Sequence, residues 1–203
     1  MTTLVENDLT TSPRNLPGSR HVPGEAGAWI FILGDMCVFA VFFTVYLAQR
    51  SHDTALFAHS QDTLNRNAGA LNTILLLFSS LFVVLAVRAV RMPSRRHLAP
   101  RLILMALACG GGFVAVKAFE YHEKIAAGIT PATNDFYMYY FVLTGLHLFH
   151  LIIGTAVLVV LWRFAKKPAL SSNQLAFFEG GACFWHMVDL LWIVLFPLLF
   201  LAR

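Results

Sequence analysis

The chain has 203 residues, of which 58% are hydrophobic and only 13% charged. A soluble domain holds about 45–50% apolar and about 25% charged residues, so the composition excludes an ordinary water-soluble globule and points to one compact helical membrane domain. The net charge of +4 is no mark of nucleic-acid binding, because Lys and Arg cluster in short stretches between apolar runs, where basic residues set topology.

Residues 1–26 are polar, carry Pro13, Pro17 and Pro23, and contain no apolar core of a signal peptide. They read as a flexible cytoplasmic tail, with 27–203 as the membrane domain and the first span as an uncleaved signal anchor. Five apolar runs follow, at 27–48, 70–90, 102–121, 136–162 and 180–202. At 1.5 Å per residue each crosses a hydrocarbon core about 30 Å thick. The predicted class is all-α, a polytopic bundle of five transmembrane helices.

The first run is uncharged except for Asp35. A carboxylate in lipid costs roughly 2.5–3.5 kcal/mol on insertion scales, so Asp35 is expected to face protein or water. It is a proton-related candidate, or it bonds a Thr, Ser or Tyr of a neighbouring helix. In the third run, Gly110, Gly111 and Gly112 permit close helix contact or mark a weak turn. At its end, Glu120 stands at helical spacing from Lys117 and Lys124. The fourth run carries His147 and His150 three apart, on one helix face, and tilts because it is longer than a span needs. Arg163, Lys166 and Lys167 close it, and the Arg163 guanidinium is a candidate clamp for a lipid phosphate. In the fifth, Glu179, His186 and Asp189 lie close to one face, and Pro197 is expected to leave the Ile193 carbonyl without a donor and kink the helix. Cys37, Cys109 and Cys183 fall in different spans without metal or redox spacing and read as small buried hydrophobes.

With alternating spans, ten Lys and Arg residues share the face of the N-terminus and only four the other, so the N-terminus is expected inside. No internal or inverted repeat is visible, which disfavours a paired-repeat transporter.

The histidines and acids admit two chemistries. Facing histidines can ligate haem, and histidine–carboxylate sets hold di-iron centres. Alternatively, histidines and acids fix helix packing through interhelical hydrogen bonds. The stretch Glu120-Tyr-His-Glu123 lacks the Glu-x-x-His spacing of a di-iron bundle. An independent b-type cytochrome using His147 or His150 with His186 stays open on this evidence, as does a proton-coupled carrier working through Asp35.

A family resemblance rests on particular strings. They are Leu71-Asn-Thr73, Phe119-Glu-Tyr121, Thr144-Gly-Leu-His-Leu-Phe-His150 with Gly154, Phe178-Glu179, and Phe184-Trp-His-Met-Val-Asp-Leu-Leu-Trp192. Together with Gly34-Asp-Met36 and Phe39, Phe42 and Phe43, the chain from about Pro23 onward resembles subunit III of the haem–copper cytochrome oxidases. The resemblance implies an accessory subunit without its own cofactor, with haem and copper in subunit I, in contact with subunits I and II and with phospholipids, in a bacterial inner membrane. By it, Asp35 takes the place of a buried glutamate tied to proton uptake and durable turnover, and Arg163 that of a lipid-contacting arginine. Glu120, His147, His150, Glu179, His186 and Asp189 become polar packing residues. Many members of the family have seven spans, and the first two are missing here. The five-span form and Asp in place of Glu look closer to the NorE-type branch, whose partner is the large subunit of a nitric oxide reductase.

Overall fold

The computed structural model describes residues 26–202, and the expected tail, with Arg14, Arg20 and Arg203 of the charge count, lies outside them. Among the described residues there are six α-helices, named in chain order α1 (Ala26–His52), α2 (Thr54–Asp62), α3 (Arg66–Arg91), α4 (Ala99–Ala126), α5 (Asp135–Ala165) and α6 (Ser172–Phe196). A 3₁₀ turn, Arg96–Leu98, leads into α4, and a π-helical turn, Pro197–Leu201, follows α6. Five of the helices are long and apolar enough to cross a membrane; α1, α3, α4 and α5 extend beyond their expected runs at both ends, and α6 at its N-terminal end.

The helix ends have local causes. The side chains of Asp53, Asn65, Asn134 and Ser171 each accept a backbone N–H of the first turn of α2, α3, α5 and α6, and Ser171 completes a capping box with Gln174. Helix α4 stops in a Schellman motif, with Ile129 N–H bonded to the Lys124 carbonyl and Gly128 N–H to the Ile125 carbonyl. Gly128 takes φ 75°, which a Cβ would disfavour.

Helix α2 escapes a scan for membrane-length runs because it has only 9 residues. It buries Phe57, Ser60 and Gln61 against the bundle, an i, i+3, i+4 face. Helix α6 widens for one turn, closed by Ala202 N–H on the Pro197 carbonyl at 2.8 Å. The Leu198 carbonyl of that turn accepts Gln61 Nε2 at 3.3 Å and Tyr46 Oη at 3.4 Å, which ties α1 and α2 to the end of α6.

Helices α3 to α6 form the centre of the bundle. Helix α3 runs antiparallel to α6, as Thr73 meets Trp192, Ser80 meets His186 and Arg91 meets Glu179. Helix α5 runs antiparallel to α4, as Tyr121 meets Thr144 and Phe113 meets His147. Helix α1 packs on the outside against α5 and α6, and 17% of its apolar window is buried against 56% for α6. Small residues set the closest approaches. A Cβ on Gly154 would stand 2.8 Å from the Trp185 ring, and one on Gly69 would stand 2.6 Å from Phe196. Of the three consecutive glycines in α4, Gly110 faces Trp185 and Gly112 faces Leu75, so they serve close packing within a continuous helix rather than a turn.

Candidate functional site

With no water to satisfy them, polar side chains inside an apolar bundle must find each other or the backbone. Two tryptophans do this through a relay. Trp185 Nε1 donates to Ser79 Oγ at 3.1 Å, and Ser79 donates to the Ala106 carbonyl at 3.0 Å. Trp192 Nε1 donates to Thr73 Oγ1 at 3.1 Å, and Thr73 donates to the Gly69 carbonyl at 2.9 Å. Each hydroxyl passes one bond on, so each indole N–H is satisfied deep in the core.

Lys117, Glu120 and Tyr140 form the most enclosed charged group. Lys117 and Glu120 side chains are 1% and 3% exposed and meet at 3.0 Å, one helical turn apart. Lys117 Nζ also donates to Tyr140 Oη at 3.2 Å, and the Tyr140 hydroxyl donates to the other Glu120 oxygen at 2.5 Å. The rings of Tyr121, Tyr140, Trp192 and Phe200 surround the ammonium at 5.0–5.7 Å from their centres. Of the two lysines at helical spacing, Glu120 therefore takes Lys117. Lys124 donates instead to the Thr63 carbonyl at 2.6 Å. Glu120 also lines a cavity of about 260 Å³ that is shared with Thr63, Asn65, Glu123 and Lys124.

Asp35 is partly buried and faces α5, where Oδ2 lies 3.4 Å from His150 Nε2, so its neighbour is an imidazole rather than the hydroxyl expected. His150 Nδ1 donates to the Leu146 carbonyl at 2.8 Å, which places the acceptor-capable Nε2 toward Asp35. Phe39 of α1 covers the same imidazole, with ring centres 5.4 Å apart.

His147 shares a helix face with His150 but occupies a different environment. It is fully buried, with Phe113 and Trp192 rings centred 5.5 and 5.2 Å away and neither ring nitrogen hydrogen-bonded. His186 is partly buried, and its Nδ1 pairs with Ser80 Oγ at 2.7 Å. Asp189 is buried one turn further along α6. At the α6 N-terminal end, buried Glu179 takes Arg91 through Nη2 at 2.6 Å and Nε at 3.1 Å. Arg163 is exposed at the end of α5.

The three histidines thus face three separate neighbourhoods, whereas a bis-histidine haem needs two imidazoles opposed across one space. Aromatic rings already fill the space beside His147. Among the described residues, no three of His, Cys, Asp and Glu come together as a metal-binding group. The arrangement brings Glu120 to Lys117, Asp35 to His150, and Glu179 to Arg91. It brings neither His147 to His186 nor Arg163 to the others. Sequence reasoning missed Arg91, Tyr140, Ser79 and Ser80, and it offered Lys117 and Lys124 equally as partners of Glu120. A lysine inside a span three residues before a glutamate was the available signal.

Comparison with known proteins agrees with this architecture. The family described as Cytochrome c oxidase subunit III matches residues 23–202. Cytochrome bo(3) ubiquinol oxidase subunit 3 of Buchnera aphidicola is 29% identical over 206 residues, covering 98% of each chain. Cytochrome c oxidase subunit 3 of Synechocystis sp. is 31% identical, covering 98% of this chain and 86% of its own. The subunit of the same name from Coturnix japonica is 35% identical over 62% of this chain and 47% of its own, so the longer form extends well beyond the shared region. The match spans all five long helices and every polar pair described above, and the chain belongs to the cytochrome c oxidase subunit III family.

Proposed function

We propose that this chain is an accessory subunit of a bacterial respiratory haem–copper oxidase, set beside the subunit that carries haem and copper and holding no redox centre of its own. The observation that carries the reading is the family match from residue 23 to residue 202. It is supported by the interior chemistry, in which Glu179 with Arg91, His186 with Ser80, Glu120 with Tyr140 and His150 with Asp35 join one helix of the bundle to another. The broad apolar exposure of α1, with Ile30, Phe31, Leu33, Val38, Val41 and Val45, suits a helix that meets lipid or a partner subunit. On this reading Asp35 and His150 form a polar contact near that outer helix which supports proton uptake and turnover lifetime of the parent complex. The excess of basic residues in the α3–α4 and α5–α6 connections supports a cytoplasmic side for them and for the N-terminus.

The expectation of a nitric oxide reductase partner rests on the five-span form and on Asp35 in place of Glu. A quinol oxidase subunit that aligns along 98% of its own length supports an oxidase parent for a chain of this length. Oxygen reduction is therefore the reading taken.

The test is affinity purification of the N-terminally tagged chain in mild detergent, with mass spectrometry of what accompanies it. Recovery of oxidase subunits I and II is expected. A nitric oxide reductase large subunit would change the parent complex. Recovery of neither, or stoichiometric haem on the isolated chain, would overturn the proposal.

A further inference from the structure

Two short connections, 92–98 between α3 and α4 and 166–171 between α5 and α6, meet on one face of the bundle. Arg96 Nε donates to the Lys167 carbonyl at 3.3 Å, so the two loops are tied to each other. Between them lies a cavity of about 340 Å³ lined by Arg96, His97, Pro100, Lys166, Lys167 and Pro168, with Ala165 at its floor. Three of these side chains carry fixed positive charge and none is a carboxylate. The second nitrogen of Arg96, Nη2, is enclosed and has no hydrogen-bond acceptor. A buried guanidinium N–H without an acceptor costs on the order of a lost charged hydrogen bond, so the site favours an anion. The lysines are also held in place. Lys166 Nζ sits 3.3 Å from the centre of the Trp162 ring, and Lys167 Nζ sits 5.1 Å from that of Phe164.

Depth identifies the anion. Helix α4 begins at Ala99 and α5 ends at Ala165, so the cavity stands where the apolar spans stop, at the level of lipid headgroups. The abundant anion at that depth is a phosphate, and basic pockets between helices at this level suit anionic lipid headgroups. We propose that the Arg96–Lys166–Lys167 cavity binds the phosphate of an anionic phospholipid. The site is distinct from Arg163, which does not line the cavity.

The test uses the full chain, purified in mild detergent and delipidated, with lipid binding followed by native mass spectrometry. Phosphatidylglycerol and phosphatidylcholine are added in turn, and inorganic phosphate is offered as competitor. Phosphatidylglycerol should bind at least about tenfold tighter than phosphatidylcholine, since each basic group near an anionic surface contributes a factor of about five. Lys166→Gln and Lys167→Gln should each weaken it about fivefold, and Arg96→Gln should weaken it at least as much. The lysine variants keep the backbone carbonyl that holds Arg96, so they test the charge even if Arg96→Gln unfolds the loops. Equal affinity for the two lipids, or unaltered binding in both lysine variants, would overturn the proposal. Displacement by inorganic phosphate at equal concentration would also overturn it, by making the cavity a free-phosphate site.

Discussion

Lys117→Met tests whether the buried charges hold the bundle or merely coexist in it. The substitution keeps side-chain length and removes the ammonium 3.0 Å from Glu120. The carboxylate then remains 3% exposed, with the Tyr140 hydroxyl as its remaining named donor. Removing one partner of a buried pair costs about 3–5 kcal/mol, and the surviving Tyr140 bond holds the loss to the lower end, about 3 kcal/mol. Glu120→Gln should cost less, about 2 kcal/mol, because the ring cage continues to stabilise the ammonium. The double variant Lys117→Met/Glu120→Leu removes both charges and should lie within about 1 kcal/mol of the parent, so the two changes are strongly non-additive. Thermal unfolding in mild detergent reads this directly. For a chain of this size about 3 kcal/mol corresponds to roughly 6–12 °C. Parental stability in Lys117→Met, or a double variant as unstable as the sum of the singles, would refute the reasoning.

Gly154→Ala should destabilise by about 1–3 kcal/mol, because its Cβ would stand 2.8 Å from Trp185, whereas Gly111→Ala meets nothing within 4 Å and should raise stability by up to about 1 kcal/mol. Equal melting temperatures for the two variants would show that Trp185 shifts freely. Asp35→Asn should leave the melting temperature of the complex within about 2 °C of the parent, since its pairing with His150 is long at 3.4 Å, and should change turnover lifetime in an oxygen-consumption assay. Unaltered inactivation kinetics would remove Asp35 from the proposed role.

The five spans were legible because lipid imposes a coarse rule, about twenty apolar residues per crossing, that composition alone satisfies or fails. Asp35, Glu120, His147, His150, Glu179, His186 and Asp189 were legible for the same reason, as polar groups where polar groups are costly. Helix α2 was not, since 9 residues packed on Phe57 obey the rules of a surface helix rather than those of a span. Partners were legible only within one helix. Lys117 and Glu120 are three apart on α4, and spacing sufficed to bring them into range, though not to decide between Lys117 and Lys124. Asp35 with His150, Ser80 with His186 and Arg91 with Glu179 join residues separated by 88 to 115 positions, and no period in the chain encodes which faces meet. Sequence by itself therefore determined that this protein is a helical membrane bundle with a polar interior. Tertiary structure alone decided how that interior is paired, because helix rotation and register are set by side-chain interdigitation such as Trp185 on Gly154, which is a property of two surfaces in contact and not of either strand of text.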